Sequence, residues 1–187
     1  MKIVHRNQSS TTLTAAVLSL LAIAFTSGCN SGKSAPTPAN FTLAINNHFL
    51  DRPDCLFSDT RFPYETSDSA RMKQMDSLVD AHLLDRSVEN RIHVARYTIA
   101  TAGTRFAPHF CYGHREVTSI DSFTPIAVVD GFKETTVTYS YSMKEVPVWA
   151  LGNDIQAVFP EMARATTSQI TAKATLAQTP VGWQIPD

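Results

Sequence analysis

Eight consecutive residues hold the densest set of reactive side chains in this chain: His109-Phe110-Cys111-Tyr112-Gly113-His114-Arg115-Glu116. Two imidazoles, a thiol and a carboxylate are the donor types that bind zinc, and a zinc-bound water would make a small metal-dependent hydrolase. That reading requires His109, His114 and Glu116 to converge in one pocket while Cys111 stays a free thiol. The spacing matches no standard zinc site, and no second half of one follows elsewhere. The plainer reading makes His109 and His114 polar residues flanking a strand that Cys111 anchors. Asp51, Asp54 and Asp59 form a sparser acidic group, without the dense spacing of a calcium loop, and read as a solvated loop. Neither Gly-x-Ser-x-Gly nor Ser-x-x-Lys occurs, so no nucleophile motif is present, and the sequence calls for no cofactor.

The N-terminus carries a different chemistry. Lys2, His5 and Arg6 make a positive start, no acidic residue precedes Cys29, and Leu13 to Phe25 form an apolar run. That run has the length of a secretory h-region and is short for a bilayer span. It ends in Thr26-Ser27-Gly28-Cys29, small residues followed by a thiol able to take a diacylglycerol. This resembles the lipobox of bacterial lipoproteins, although Thr26 stands where that motif usually has Leu, which leaves an ordinary signal-peptidase site as the alternative. The resemblance implies a leader over 1–28, lipidation of Cys29, and a chain held in the cell envelope by several acyl chains. In that class Asn30, where Asp would retain the protein in the inner membrane, points to the outer membrane facing the periplasm if the cell is Gram-negative. Residues 29–40 contain Gly32, Pro36 and Pro38 and read as a flexible tether.

With Cys29 assigned to lipid, Cys55 and Cys111 remain as a pair in an oxidising compartment. A disulfide is the expectation there, with two separate buried thiols as the competing reading. A redox role is disfavoured, since no Cys-x-x-Cys occurs.

These residues need elements to hold them. Phe41, Ala44, Ile45 and Phe49 recur at helical spacing and predict a helix over 40–50, ended by Pro53. Residues 51–67 read as loop. Ser67 or Asp68 caps a second helix with Met72, Met75, Val79 and His82 or Leu83 in one stripe. Ile92, Val94, Tyr97 and Ile99 predict an extended strand, and Thr101 to Phe106 a turn into a short helical segment. The stretches MDSLVDAHLLDR and RYTIATAG are similar to the last helix and returning wing strand of a winged-helix unit, a likeness covering about residues 40–107. It implies shape rather than DNA binding: Arg71 and Lys73 on the would-be recognition helix face Asp68, Asp76 and Asp80.

The second half reads as sheet. Strands are predicted over Glu116–Phe123, Val137–Met143 and Ala172–Leu176, with Trp183-Gln184-Ile185 pairing back after the Thr179–Gly182 turn. Asp130-Gly131 is a turn signal, and Asn153 or Asp154 caps a short helix that Pro160 breaks or restarts. The expected fold is therefore α+β, with a winged-helix-like unit over 41–112 and an antiparallel sheet with a short helix over 113–187.

Composition sets outer limits. The 187 residues are 43% hydrophobic and 18% charged, a globular profile. Removing 1–28 takes Lys2 and Arg6 and no acid, so the net charge moves from -1 to -3. Such a chain lacks the basic footprint of a nucleic-acid binder. The expectation is a membrane-anchored, non-enzymatic binding or structural module whose partner is an envelope protein or ligand.

Overall fold

The computed structural model describes residues 32–89, 91 and 93–186; the leader, Cys29 and Asn30 lie outside the described residues. Helices and antiparallel sheets are mixed, giving the α+β class expected.

Helix α1 spans Pro38–Leu50, two residues longer at its start than its apolar pattern indicates. Thr37 caps it by accepting from the Asn40 amide, and Pro38 occupies the first turn, where its missing N–H costs nothing. Strand β1, Tyr64–Thr66, follows inside the segment read as loop. Helix α2, Ser69–Asp80, is capped by Asp68, whose carboxylate accepts from the Arg71 amide at 2.7 Å. Strands β2, Leu84–Glu89, and β3, Val94–Ile99, form a hairpin, and β1 pairs on the far side of β3. The second sheet contains β4, His114–Phe123, β5, Ala127–Val129, and β6, Phe132–Lys144. Helices α3, Asn153–Val158, and α4, Pro160–Thr167, follow, with Pro160 restarting the helix rather than ending it. Strands β7, Ile170–Thr179, and β8, Gly182–Gln184, complete the sheet in the order β4-β6-β7-β8, with β5 also on β6.

Two hydrophobic cores result, and each draws on both ends of the sequence. In one, Met75 and Leu78 of α2 pack on Leu84, Ala95 and Tyr97, and Ala150, Ile155, Phe159 and Met162 return from much later to close over them. In the other, Phe41, Ala44 and Ile45 of α1 pack on Val137, Tyr139, Leu176 and Trp183 of the large sheet. Residues 41–50 therefore belong with the last strands, and 150–162 with the first sheet. The division at 112/113 does not separate the two cores, because α1 is buried by the large sheet instead of by α2. Helix α4 joins them, with Met162 in the first core and Ala165 in the second.

The segment read as a flexible tether is held down where it is described. Asn40 donates to the carbonyls of Gly32 and Ala35 at 2.7 and 2.8 Å. Gln178 donates to the Ser34 carbonyl at 2.7 Å, and the Trp183 indole to the Ser34 and Ala35 carbonyls, both at 3.2 Å. The tethering carbonyls thus satisfy donors on β7 and β8 that would otherwise be buried without partners.

Candidate binding groove

Cys55 and Cys111 form a disulfide across an antiparallel bridge. Hydrogen bonds from Tyr112 to Asp54 and from Leu56 to Phe110 flank it, so the cysteines face each other at a non-hydrogen-bonded position, where cross-strand side chains come closest. The bridge ties the loop after α1 to the segment entering β4.

That pairing removes Cys111 from any metal site, and the remaining donors point elsewhere. His109 Nδ1 lies 2.9 Å from the Phe57 carbonyl. His114 Nδ1 lies 3.6 Å from Glu145, and Glu116 lies 3.7 Å from Lys144. Among the described residues no group of three or more His, Cys, Asp or Glu side chains could hold a metal ion. His109 does border a shallow depression with Ser58 and Asp59, but the Ser58 hydroxyl donates to Asp59 at 3.1 Å, and no hydrogen bond joins Ser58 to His109 among the described residues. A Ser–His relay is not assembled there.

The residue that organises this region is Arg115, between the two candidates His114 and Glu116. Its guanidinium makes a bidentate pair with Asp54 at 2.8 and 2.9 Å, and lies 4.8 Å from the Phe49 ring and 5.1 Å from the Tyr141 ring. The Asp54 hydrogen bonds raise its already high pKa, outweighing the opposing effect of burial. One side chain thus joins the loop, α1 and the large sheet. The sequence signal was strand parity: Arg115 shares its side of β4 with the buried Val117.

Besides a depression of about 590 Å³ between α2 and α3, lined by Lys73, Asp76, Asp80, Arg86 and Asp154 among others, three depressions have the size of ligand sites. The cleft between α1 and β8 holds about 460 Å³ and is lined by Lys33, Asn40, Asn47, His48, Arg52 and Gln184, among others, a polar and basic set. The depression beside His109 is polar as well. The third, of about 480 Å³, differs in chemistry. It lies where the turn after β3 meets the loop after β6, and its walls are Phe106, Trp149, Leu83, Val146 and Val148, with Arg105 at the side.

Local sequence explains this groove. Pro147 follows β6 and turns the chain into a short 3-10 turn, Val148–Leu151, that leaves Val148 87% exposed. Across from it Gly103 packs so close to the backbone of Leu83 that an added Cβ would sit 2.0 Å from the Leu83 carbonyl oxygen. Only glycine lets the 101–103 turn approach and set Phe106 against the indole. Phe106 and Trp149 meet edge to face at 5.8 Å, and the Arg105 guanidinium lies 4.6 Å from the Phe106 ring. The Trp149 Nε1 is the one buried side-chain nitrogen or oxygen without a hydrogen-bond partner among the described residues. An aromatic wall, an apolar floor and a guanidinium beside it suit an apolar side chain carried by a backbone with acceptors.

No protein-family model matches this chain, and no curated protein or solved structure matches it either.

Proposed function

We propose that this chain is an envelope lipoprotein, exported through residues 1–28 and lipidated at Cys29, whose folded part is a non-enzymatic binding module. The groove between Phe106 and Trp149 carries the reading: it is apolar, aromatic and open, and Val148 stands beside it 87% exposed. Its occupant is an apolar segment of another envelope protein. The Cys55–Cys111 bridge supports a site outside the cytoplasm, since cystines persist in oxidising compartments. Asn30 supports the outer membrane in a Gram-negative cell. The winged-helix-like likeness drawn over about residues 40–107 draws support from α2 packing on the β1-β3-β2 sheet but not from α1, which lies on the large sheet, and it extends to shape only. Nucleic acid is not the partner. Asp68 and Asp76 on α2 are already engaged, with the helix N-terminus and with Arg86, and Asp80 adds negative charge to the same helix.

The test is photo-crosslinking in intact cells with Val148→p-benzoylphenylalanine, against Lys173→p-benzoylphenylalanine on the exposed face of β7. A discrete adduct from position 148 alone is expected. Identical patterns from both positions, or none from 148, would remove the groove from consideration. Independently, mass spectrometry of the mature N-terminus reads Cys29: an unmodified thiol there would refute the anchor.

A further inference from the structure

Five of the exposed large hydrophobic side chains among the described residues gather at one end of the large sheet. In the β6–β7 ladder Glu134 pairs with Ala177, so the β5–β6 turn at Asp130-Gly131 and the β7–β8 turn at Pro180-Val181 lie at the same end of the sheet. At that end Ile126, Val128, Val129, Phe132 and Val181 are all exposed, Val128 by 71% and Val181 by 65%. Every residue from Asp121 to Lys133 is exposed, so the β5–β6 hairpin stands clear of the body. Asp130 and Gly131 both have positive φ, which makes the tight turn that closes it. Val128 pairs with Lys133 and Val129 with Phe132, so adjacent pairs point to opposite faces and both faces of the hairpin carry apolar side chains. Among the described residues no element packs over them, so they are left to the solvent.

The start of the described chain lies at this same end. The Ser34 and Ala35 carbonyls accept from Trp183, Ser34 also accepts from Gln178, and Lys33 lies against Gly182 in the β7–β8 turn. Two residues separate Cys29 from Gly32, three steps along the chain and a span of at most roughly 11 Å. A lipid on Cys29 would therefore hold this end, and no other, against the bilayer.

We propose that the β5–β6 hairpin and the β7–β8 turn enter the interfacial zone of the membrane that holds the anchor, with Lys33 and Lys133 beside the lipid phosphates. This rests on the reading that Cys29 carries lipid. Apolar side chains on both faces of the hairpin fit surrounding lipid better than a flat protein partner, which would cover one face. The unpaired edge of β5 and the Asp130 carboxylate keep the insertion shallow, because backbone groups and a charge are costly in hydrocarbon. The domain then stands on three contacts, the acyl chains and two turns, with the Phe106–Trp149 groove at the opposite end of β6.

The experiment uses the full chain isolated from cell membranes and reconstituted in vesicles of phosphatidylethanolamine and phosphatidylglycerol. Val128→dansylalanine reports the hairpin and Val148→dansylalanine the far end, and the mass of the Cys29 peptide is read on the same samples. A blue-shifted emission at 128, quenched by nitroxide lipids, beside a water-like emission at 148 is the expected result. Lipidated protein with both positions equally water-like would overturn the insertion and leave the anchor standing. If Cys29 proves unmodified, the anchor fails, and vesicles added to the same protein still decide the insertion. A blue shift at 128 keeps it, and an unchanged spectrum ends it.

Discussion

The two cores are built on opposite plans. The large-sheet core takes its residues at regular alternation from long strands, with Val137, Tyr139, Tyr141 and Met143 on one side of β6 and a single helix laid across them. The small-sheet core is assembled from short pieces, with Phe57 and Phe110 from two loops, Met75 and Leu78 from α2, Ala95 and Tyr97 from β3, and Ile155 and Phe159 from α3 and the residue after it. Backbone pairing specifies the first, whereas covalent and side-chain links have to specify the second. The disulfide beside Phe57 and Phe110 and the Tyr97–Asp76 bond serve the small-sheet half in this way, while the Asp54–Arg115 pair ties its loop to the large sheet.

Removing the disulfide breaks that contrast most directly. A loop with a sequence separation of 56 is worth about 4 kcal/mol on the chain-entropy account, and Cys55→Ala/Cys111→Ala is expected to lose about that in urea denaturation. Hydrogen exchange should accelerate first at 55–57 and 110–112 and last along β6 and β7. Equal acceleration in both regions would mean that the cores are not differently specified. Next in size, Leu78→Ala and Leu176→Ala each empty a fully buried site and are expected to cost about 3 kcal/mol. Because each core borrows helices across the chain, both variants should keep a single unfolding transition with unchanged m value. Two resolved transitions would show that the cores are separable after all.

Arg115→Ala leaves Asp54 partly buried without its partner, and a loss of about 2–3 kcal/mol is expected. Arg115→Lys should recover little of it, since an ammonium cannot make the bidentate pair between two rings. Tyr97 gives a smaller, pH-dependent effect. Burial, then the hydrogen bond to Asp76 at 2.8 Å, pushes its pKa up to about 12. The folded state holds the proton more tightly than the unfolded chain, whose tyrosine titrates near 10. This contribution is therefore complete below pH 10 and is lost as pH rises towards about 12. Tyr97→Phe should cost about 1 kcal/mol at neutral pH and flatten the alkaline limb of the stability curve. Smallest of all, Ala102→Asp, exposed on the groove wall, should change stability by less than about 0.5 kcal/mol while abolishing the adduct formed from position 148, which separates recognition from folding.

What the sequence revealed follows the same division. Alternation along β6 was readable because one face is buried throughout, and Asp130-Gly131, Thr179–Gly182 and the Asp68 cap carry local chemistry that fixes their geometry. The Cys55–Cys111 pairing could be argued from compartment alone. The small-sheet half was hidden for physical reasons. β1 is three residues on the edge of β3, too short to show a period. The stripe on α2 is wider than its period showed: Leu78 is fully buried beside the expected Met75 and the half-buried Met72 and Val79, because the helix is covered by a sheet and by α3 together. The Phe106–Trp149 groove joins residues on two separate turns, and no spacing in a linear chain encodes that meeting.

The position of α1 also has a meaning in time. It is the first described helix in the chain, yet Phe41 and Ile45 are covered by residues that include Leu176 and Trp183, close to the C-terminal end. A chain made or threaded from its N-terminus can lay this helix on β4 first, through Asn46 and Val117 and through Phe41 and Phe123, but leaves the rest of its apolar face uncovered until β7 and β8 follow. Contacts of such sequence separation close late, since the loop entropy has to be met before they gain anything. The seating of α1 beside β8 is therefore expected late in folding, and until then the part of its apolar face that Leu176 and Trp183 cover is open to any holding factor that meets it.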